Sequence, residues 1–361
     1  MEPFGSAWLA TTLTLATPLI LAATGELVSE RAGVINIGLE GMMLVGAFFS
    51  FLVSWATHSF WLGVLAGIGA GAGLAAVMAL LSLQARADQI VVGVGLNIFA
   101  LGLTSFVFEQ VFLSRPQVVL RLPRPLAIPG LDAIPGIGQA VFRQPLLVYV
   151  SWAVVVLAWL LLYRTTWGLA IRAAGETPAA ADTAGVDVNR VRWAGTLTAG
   201  CLGALGGAVL SIGQVGLFVQ QISAGQGYIA LAAVIFGGWR PFGVLGACLV
   251  FAGTNALQLQ LQAHRGVPAS VWVAVALVGL VYLGWRLRRP QARSWRSAGS
   301  AGLVVAVGAG LALARPSVSL PPELWLAVPY VVALLALAGL VGRVRMPRAL
   351  GSAYEREAPK A

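Results

Sequence analysis

Apolar residues fall in long blocks along the chain, at about 7–24, 37–55, 60–83, 90–112, 145–163, 193–213, 227–238, 242–262, 268–285, 298–314 and 324–341. The segments between them are short and hold most of the arginines. A helix needs about 20 mostly apolar residues to cross a hydrocarbon layer of roughly 30 Å. The pattern therefore predicts an all-α, polytopic transmembrane helical bundle of about 10–11 spans. Run 227–238 is too short to cross alone at 1.5 Å per residue, so it is expected to be tilted, broken or re-entrant.

Composition agrees with the pattern. Of the 361 residues, 58% are hydrophobic and 10% charged, and mean hydropathy is +0.86. A soluble domain carries about 25% charged residues, so a soluble globular protein is excluded. The net charge of +10 comes from arginines gathered between the apolar runs, where it sets topology and implies no nucleic-acid partner. Cys201 and Cys248 lie inside apolar runs without metal-like spacing. The stretch MEPFGSAWLA lacks a basic n-region and a small-residue cleavage site, so the first apolar run is expected to stay in the mature chain.

Arginine placement orients the bundle. RLRRPQARSWR at 286–296 and GRVRMPRAL after the last run should be cytoplasmic. Counting back through eleven crossings puts 164–192 and 84–89 in the cytoplasm and the N-terminus outside. Residues 113–144 then lie outside despite Arg115, Arg121, Arg124 and Arg143, and their prolines, among them Pro123, Pro125 and Pro129, predict an irregular external cap. Glycine-rich runs such as GVLAGIGAGAGLAA and AGCLGALGGAV predict close helix packing, because small residues let backbones approach in lipid.

Polar residues within or beside the runs are the candidates for function. In ERAGVINIGLEG, Glu30 and Arg31 (with Glu26 just before) read either as a solvated turn or as part of a pathway. Asn36 and Glu40 flank Gly38 and Gly41 and could line an interrupted helix. Asn97 is an amide inside a span, where it bridges helices or meets solute. Gln214, Gln220, Gln221 and Gln226 fall in one expected external stretch, either a solvated loop or a solute entrance. The candidate solute pathway is Asn36, Glu40, Asn97, Gln220 and Gln226. In GGWRPFG, Pro241 breaks the helix and Trp239 with Arg240 reads as an interfacial anchor.

The stretch GLAIRAAGETPAAADTAGVDV at 168–188 lies between two spans. Thr177 followed by Pro178 predicts a helix start, and Gly185 a stop, so one short helix is expected outside the membrane. Its small face, Ala179, Ala180, Ala181 and Ala184, either fits a groove on another protein or lies on lipid as a connector.

GLAIRAAGETPAAADTAGVDVNRVR resembles the coupling loop of ABC importer permeases of the ribose, branched-chain amino acid and nucleoside class. GELVSERAGVINIGLEGMMLVGAF at 25–48, ADQIVVGVGLNIFALGLTSF at 87–106, GYIALAAVIFGGWRPFGVLGACLVFAGTNALQ at 227–258 and the last apolar block resemble successive parts of the nucleoside (simple sugar) branch. The resemblance implies a type II ABC importer-like permease formed by residues 1–361 as a single transmembrane domain. Residues 164–192 would be its cytoplasmic coupling loop, with Gly168, Arg172, Gly175, Glu176, Ala179, Ala180, Ala184 and Gly185 meeting an ATPase. Residues at about 264–316 fall outside the resemblance and read as a two-span insert.

The chain contains no GxxxxGK[ST] phosphate loop, so ATP would be used by a separate cytosolic ABC ATPase and no cofactor is expected on this chain. The resemblance further implies a second, related but different permease subunit, an extracytoplasmic solute-binding protein or lipoprotein, and a bacterial cytoplasmic membrane. His58 and His264 stand far apart, and no Ser/His/Asp or metal-spaced cluster suggests an enzyme. The rival is an ion-gradient-driven secondary transporter of a small polar solute. Such proteins usually place acids deep in their spans, and the runs here are nearly free of Asp and Glu.

Overall fold

The computed structural model describes residues 4–113, 119–132, 134, 137–263, 345–352 and 354. Among these, seven helices are long and apolar enough to cross a membrane. They are α1 (Phe4–Arg31), α2 (Leu39–Thr57), α3 (Phe60–Ala79, extended by a π-helical turn Leu80–Gln84), α4 (Gln89–Phe112), α6 (Leu146–Arg164), α9 (Val188–Ala208, extended by a π-helical stretch Val209–Val215) and α11 (Pro241–Ala263). The runs at 268–285, 298–314 and 324–341, and the insert at about 264–316, lie outside the described residues.

The shorter helices sit between these. They are α5 (Gly138–Phe142), α7 (Thr166–Glu176), α8 (Pro178–Thr183) and α10 (Gln226–Phe236). The 113–144 segment, expected to be irregular throughout, contains α5 and a two-residue antiparallel ladder, Leu126–Ala127 against Arg143–Gln144. Tyr149 Oη accepts from the Gln144 amide at 3.2 Å and holds that ladder against the start of α6. Pro123 and Pro125 precede the first strand, where a missing N–H costs nothing.

Among the described helices, α9 is the most deeply packed. In its most apolar stretch 78% of positions are buried, against 28% in α4, which therefore lies at the periphery. Close approach of α9 to its neighbours depends on glycine. A Cβ on Gly71 of α3 would stand 2.7 Å from the Gly200 carbonyl, and one on Gly200 would stand 2.7 Å from the Gly71 carbonyl. The two backbones touch, as small-residue packing in lipid requires. On the α2 side, Ser211 donates to the Ala47 carbonyl at 2.8 Å and meets Ser50 at 3.2 Å, so the buried hydroxyls are satisfied.

One end of the bundle gathers the α1–α2 turn, residues 84–89, α7, α8 and residues 345–352. The opposite end gathers His58, residues 119–122 and 216–220, where Leu120 N–H donates to the Gly216 carbonyl at 2.6 Å. There Phe218 is buried among Phe48, Phe51 and Phe108, with ring centroids 5.0, 6.4 and 5.5 Å away. That anchor turns the chain back into the bundle after α9. The returning helix α10 has 11 residues, roughly 16 Å of rise, and so covers about half of a bilayer.

Candidate functional site

The helical ladder breaks after Arg31, and the break is stitched by side chains. Gly33 at φ +96° turns the backbone, a conformation L side chains rarely adopt. The amide of Ile35 donates to Gln89 Oε1 at 2.9 Å, and that of Asn36 donates to Glu26 Oε1 at 2.9 Å. Asn97 completes the stitching: its Nδ2 donates to the Ile37 carbonyl at 2.9 Å and its Oδ1 accepts from Gly41 N–H at 2.8 Å. Irregular backbone at membrane depth is tolerated only where protein or a water-lined cavity satisfies it. Three side chains from α1 and α4 satisfy it here.

The same break receives the start of α10. Glu40, in the first turn of α2, accepts from Gly225 N–H at 2.8 Å and from Gly227 N–H at 2.6 Å. Helix N-termini leave donors unpaired and favour negative charge, and Glu40 supplies both needs at once. Gly227 is obligatory for this approach, because its Cβ would stand 2.6 Å from both Glu40 N and Cα. Asn97 Nδ2 also donates to Tyr228 Oη at 2.8 Å, and Tyr228 is 47% exposed. The polar junction of α2, α4 and α10 thus opens onto an outer face of the chain.

The far end of α10 returns to α1. Trp239, expected at an interface, is buried, and its indole N–H donates to Glu30. Its carbonyl accepts from Arg31 Nη2 at 2.6 Å and Nε at 2.9 Å. The solvated-turn reading is thereby corrected for Glu26 and Glu30, which are buried, and for Arg31, which is partly buried. The physical reason is the turn after α10: it packs over the break and replaces water with the indole and the carbonyl of Trp239. Glu26 Oε2 and Asn36 Oδ1 are buried without a partner among the described residues.

The glutamines do not gather. Gln214 donates to the Thr14 carbonyl at 2.6 Å and ties α9 to α1. Gln220 is exposed and its Nε2 lies 3.4 Å from Glu109 Oε1, while Gln226 opens α10 at the depth of Glu40. Asn36, Glu40, Asn97 and Gln226 therefore belong to one junction, and Gln220 stands apart at the opposite end.

The loop between α6 and α9 holds two helices where one was expected. Thr165 caps α7 by accepting from Gly168 N–H at 3.0 Å, the signal missed in the sequence. Thr177 makes no side-chain cap, although Pro178 does occupy the first turn of α8. Gly185 ends α8 at φ +87°, with its N–H on the Asp182 carbonyl at 2.9 Å. Glu176, Ala179, Ala180, Ala184 and Gly185 are exposed, whereas Ala181 is buried and departs from the expected outward face. Gly168 and Gly175 are also buried: a Cβ on either would collide, with the Leu161 carbonyl and the Arg31 carbonyl respectively. These two glycines fit the loop to the bundle. Arg172 lies with its guanidinium 5.1 Å from the Tyr163 ring and its Nε on the Gly168 carbonyl at 3.3 Å.

Gln89 and Tyr228 join the candidate junction although the sequence did not single them out, and Trp239 is buried there instead of lying at an interface. Of the two, Tyr228 carried a sequence signal, a phenol beside a glycine in the run too short to span.

Residues 8–284 match the family described as branched-chain amino acid transport system / permease component. The chain belongs to this permease family. The permease is 35% identical to the guanosine ABC transporter permease protein NupQ of Bacillus subtilis, over 95% of this chain and 94% of NupQ. It is 39% identical to the putative glucose ABC transporter permease protein TsgC13 of Haloferax volcanii, over 72% of this chain and 79% of that one. It is 37% identical to the nucleoside ABC transporter permease protein NupC of Lactococcus lactis, over 75% and 90%. A second guanosine permease of Bacillus subtilis, NupP, and a second nucleoside permease of Lactococcus lactis, NupB, are 24% and 27% identical to it. No solved structure matches the chain.

Proposed function

We propose that this permease is the membrane-spanning subunit of an ATP-driven importer of nucleosides or simple sugars, with nucleosides the first choice. The observation that carries the reading is the likeness over nearly the whole chain to a guanosine permease, alongside likeness to nucleoside and glucose permeases. Solute passes along a face shared with a second permease subunit, where the exposed Tyr228 and the half-buried Asn97 supply hydrogen-bonding groups. That second subunit is a related but different chain, as the paired permeases of Bacillus subtilis and Lactococcus lactis suggest.

A cytosolic ABC ATPase docks on the loop at 164–192, its groove covering Glu176, Ala179, Ala180, Ala184 and Gly185, all exposed. Small side chains admit a close helix-in-groove fit. ATP is used by that partner, and this chain binds no cofactor. An extracytoplasmic solute-binding protein or lipoprotein delivers the solute, and the assembly lies in the bacterial cytoplasmic membrane with the α7–α8 end inside.

The test is co-expression with the neighbouring genes, purification, and ATP hydrolysis with and without nucleoside-loaded binding protein. Hydrolysis that rises with loaded binding protein is expected. A chain that purifies alone and moves solute in vesicles on a proton gradient without ATP would replace this reading with the secondary transporter.

A further inference from the structure

Residues 345–352 stand far from the docking loop in sequence but are fastened to it. Ala349 N–H donates to the Gly175 carbonyl at 2.9 Å, and Gly351 N–H donates to the Gly33 carbonyl at 3.1 Å. The Ser352 carbonyl accepts from Arg192 Nη1 at 2.7 Å. One short segment therefore ties together the last turn of α7, the break after α1 and the N-terminal part of α9. Leu350 and Tyr354 pack on the apolar cluster that contains Ile171 and Ala174 of α7 and Val191 of α9.

The junction is tightly packed. A Cβ on Gly33 would stand 3.0 Å from Arg192 Nη2 and 3.3 Å from the Ala349 carbonyl. A Cβ on Gly351, at φ +76°, would stand 3.0 Å from Ile35 Cδ1. With backbones in direct contact and hydrogen-bonded, α7, the break and the segment are obliged to move as one body. Packed elements of this kind shift between discrete arrangements and do not stretch.

Arg192 is the unusual member. It is 1% exposed, and its Nε and Nη2 have no hydrogen-bond partner among the described residues. Packing alone is served as well or better by an apolar side chain, since desolvating an ion costs more than such contacts return. A buried guanidinium whose Nη1 bond goes to the Ser352 carbonyl makes sense as a pin that fixes the segment's position.

We infer that residues 345–352 are a strap, pinned by Arg192, which carries movement of the docking loop to the α1–α2 break. Arg192 is a positioning residue for transport. The inference rests on the ATPase-coupled importer reading, because it concerns how that partner's motion reaches the junction of Glu40, Asn97 and Tyr228.

The test uses the complete transporter in proteoliposomes, with co-purified ATPase, ATP hydrolysis and uptake of radiolabelled guanosine measured together. Three chains are compared with wild type: one ending at residue 344, Arg192→Met, and the conservative Arg192→Lys. The truncated and Arg192→Met chains should keep the ATPase and its hydrolysis, while guanosine moved per ATP falls by about tenfold, a usual size for coupling between sites. Arg192→Lys should recover part of the loss, which a mere packing role would not produce. Unchanged uptake per ATP in both variants overturns the strap. So does loss of ATPase association in both, which would make the segment part of the docking surface instead. A wild-type chain that binds no ATPase at all sinks the importer reading, a separate result. Should the truncated chain fail to reach the membrane, Arg192→Met in the full chain decides the matter alone.

Discussion

Asn97 Nδ2 lies 2.8 Å from Tyr228 Oη, joining the more exposed helix α4 to the short helix α10. The same amide holds the Ile37 carbonyl and Gly41 N–H across the α1–α2 break, so one side chain links three segments. Replacing it affects the path and the fold together, and the variants below separate these roles.

Tyr228→Phe removes only the hydroxyl, while Asn97→Leu strips the break of a donor and an acceptor. Tyr228→Phe should leave thermal unfolding in detergent nearly unchanged and weaken solute uptake. Asn97→Leu should cost about 1–3 kcal/mol, the usual penalty for unpairing buried polar groups, and lower the unfolding temperature. Equal unfolding temperatures for wild type and Asn97→Leu would show that the stitching carries no stability.

Glu40→Gln keeps the shape of the side chain but removes the charge that faces two N–H donors at the start of α10. Hydrogen bonds to a charged acceptor contribute about 1.5–3 kcal/mol. A fall in stability toward the lower end of that range, with uptake reduced, is expected; calorimetry on the purified complex checks the first and vesicle uptake the second.

Glycine substitutions should split sharply by position. Gly227→Ala drives a methyl into the Glu40 backbone and should abolish uptake, whereas Gly69→Ala meets nothing within 4 Å and should behave as wild type. Uptake assays at matched expression distinguish the two, and a tolerant Gly227→Ala would contradict the close approach of α2 and α10.

Trp239→Phe deletes the indole N–H that Glu30 accepts within the protein. Leaving that carboxylate short of a donor should cost about 1–3 kcal/mol and loosen the end of α10 against α1. Faster proteolysis at residues 237–241 in the variant is the measurable consequence.

Ala180→Trp and Ala181→Trp place the same bulk on adjacent residues of α8, one exposed and one buried. Ala180→Trp, alone or with Glu176→Arg, should remove the ATPase and leave the unfolding temperature of the permease intact. Ala181→Trp should instead lower that temperature, as overpacking does, by about 1–3 kcal/mol of stability. Retention of the ATPase by the double variant would count against docking on α8.

The run lengths by themselves determined that this chain is a multi-pass helical membrane protein, since spans must satisfy their own backbone and declare themselves as apolar blocks. They also marked 227–238 as too short to cross, and the motif order pointed to the permease family. Asn36, Glu40, Asn97 and Gln226 were legible as candidates because polar groups within or at the edge of apolar runs are costly unless paired or wet. Tertiary structure alone decided that these four meet, that Gln220 does not join them, and that Trp239 is buried against Glu30 and Arg31. It also decided that Ala181 faces inward and that residues 345–352 reach Gly33, Gly175 and Arg192. The physical reason is common to all of these: each depends on which helix packs against which, and α10 and the 345–352 segment meet partners about 130 to 320 residues away. Hydrophobic runs record how much of a helix is out of water, but not what lies on its other side.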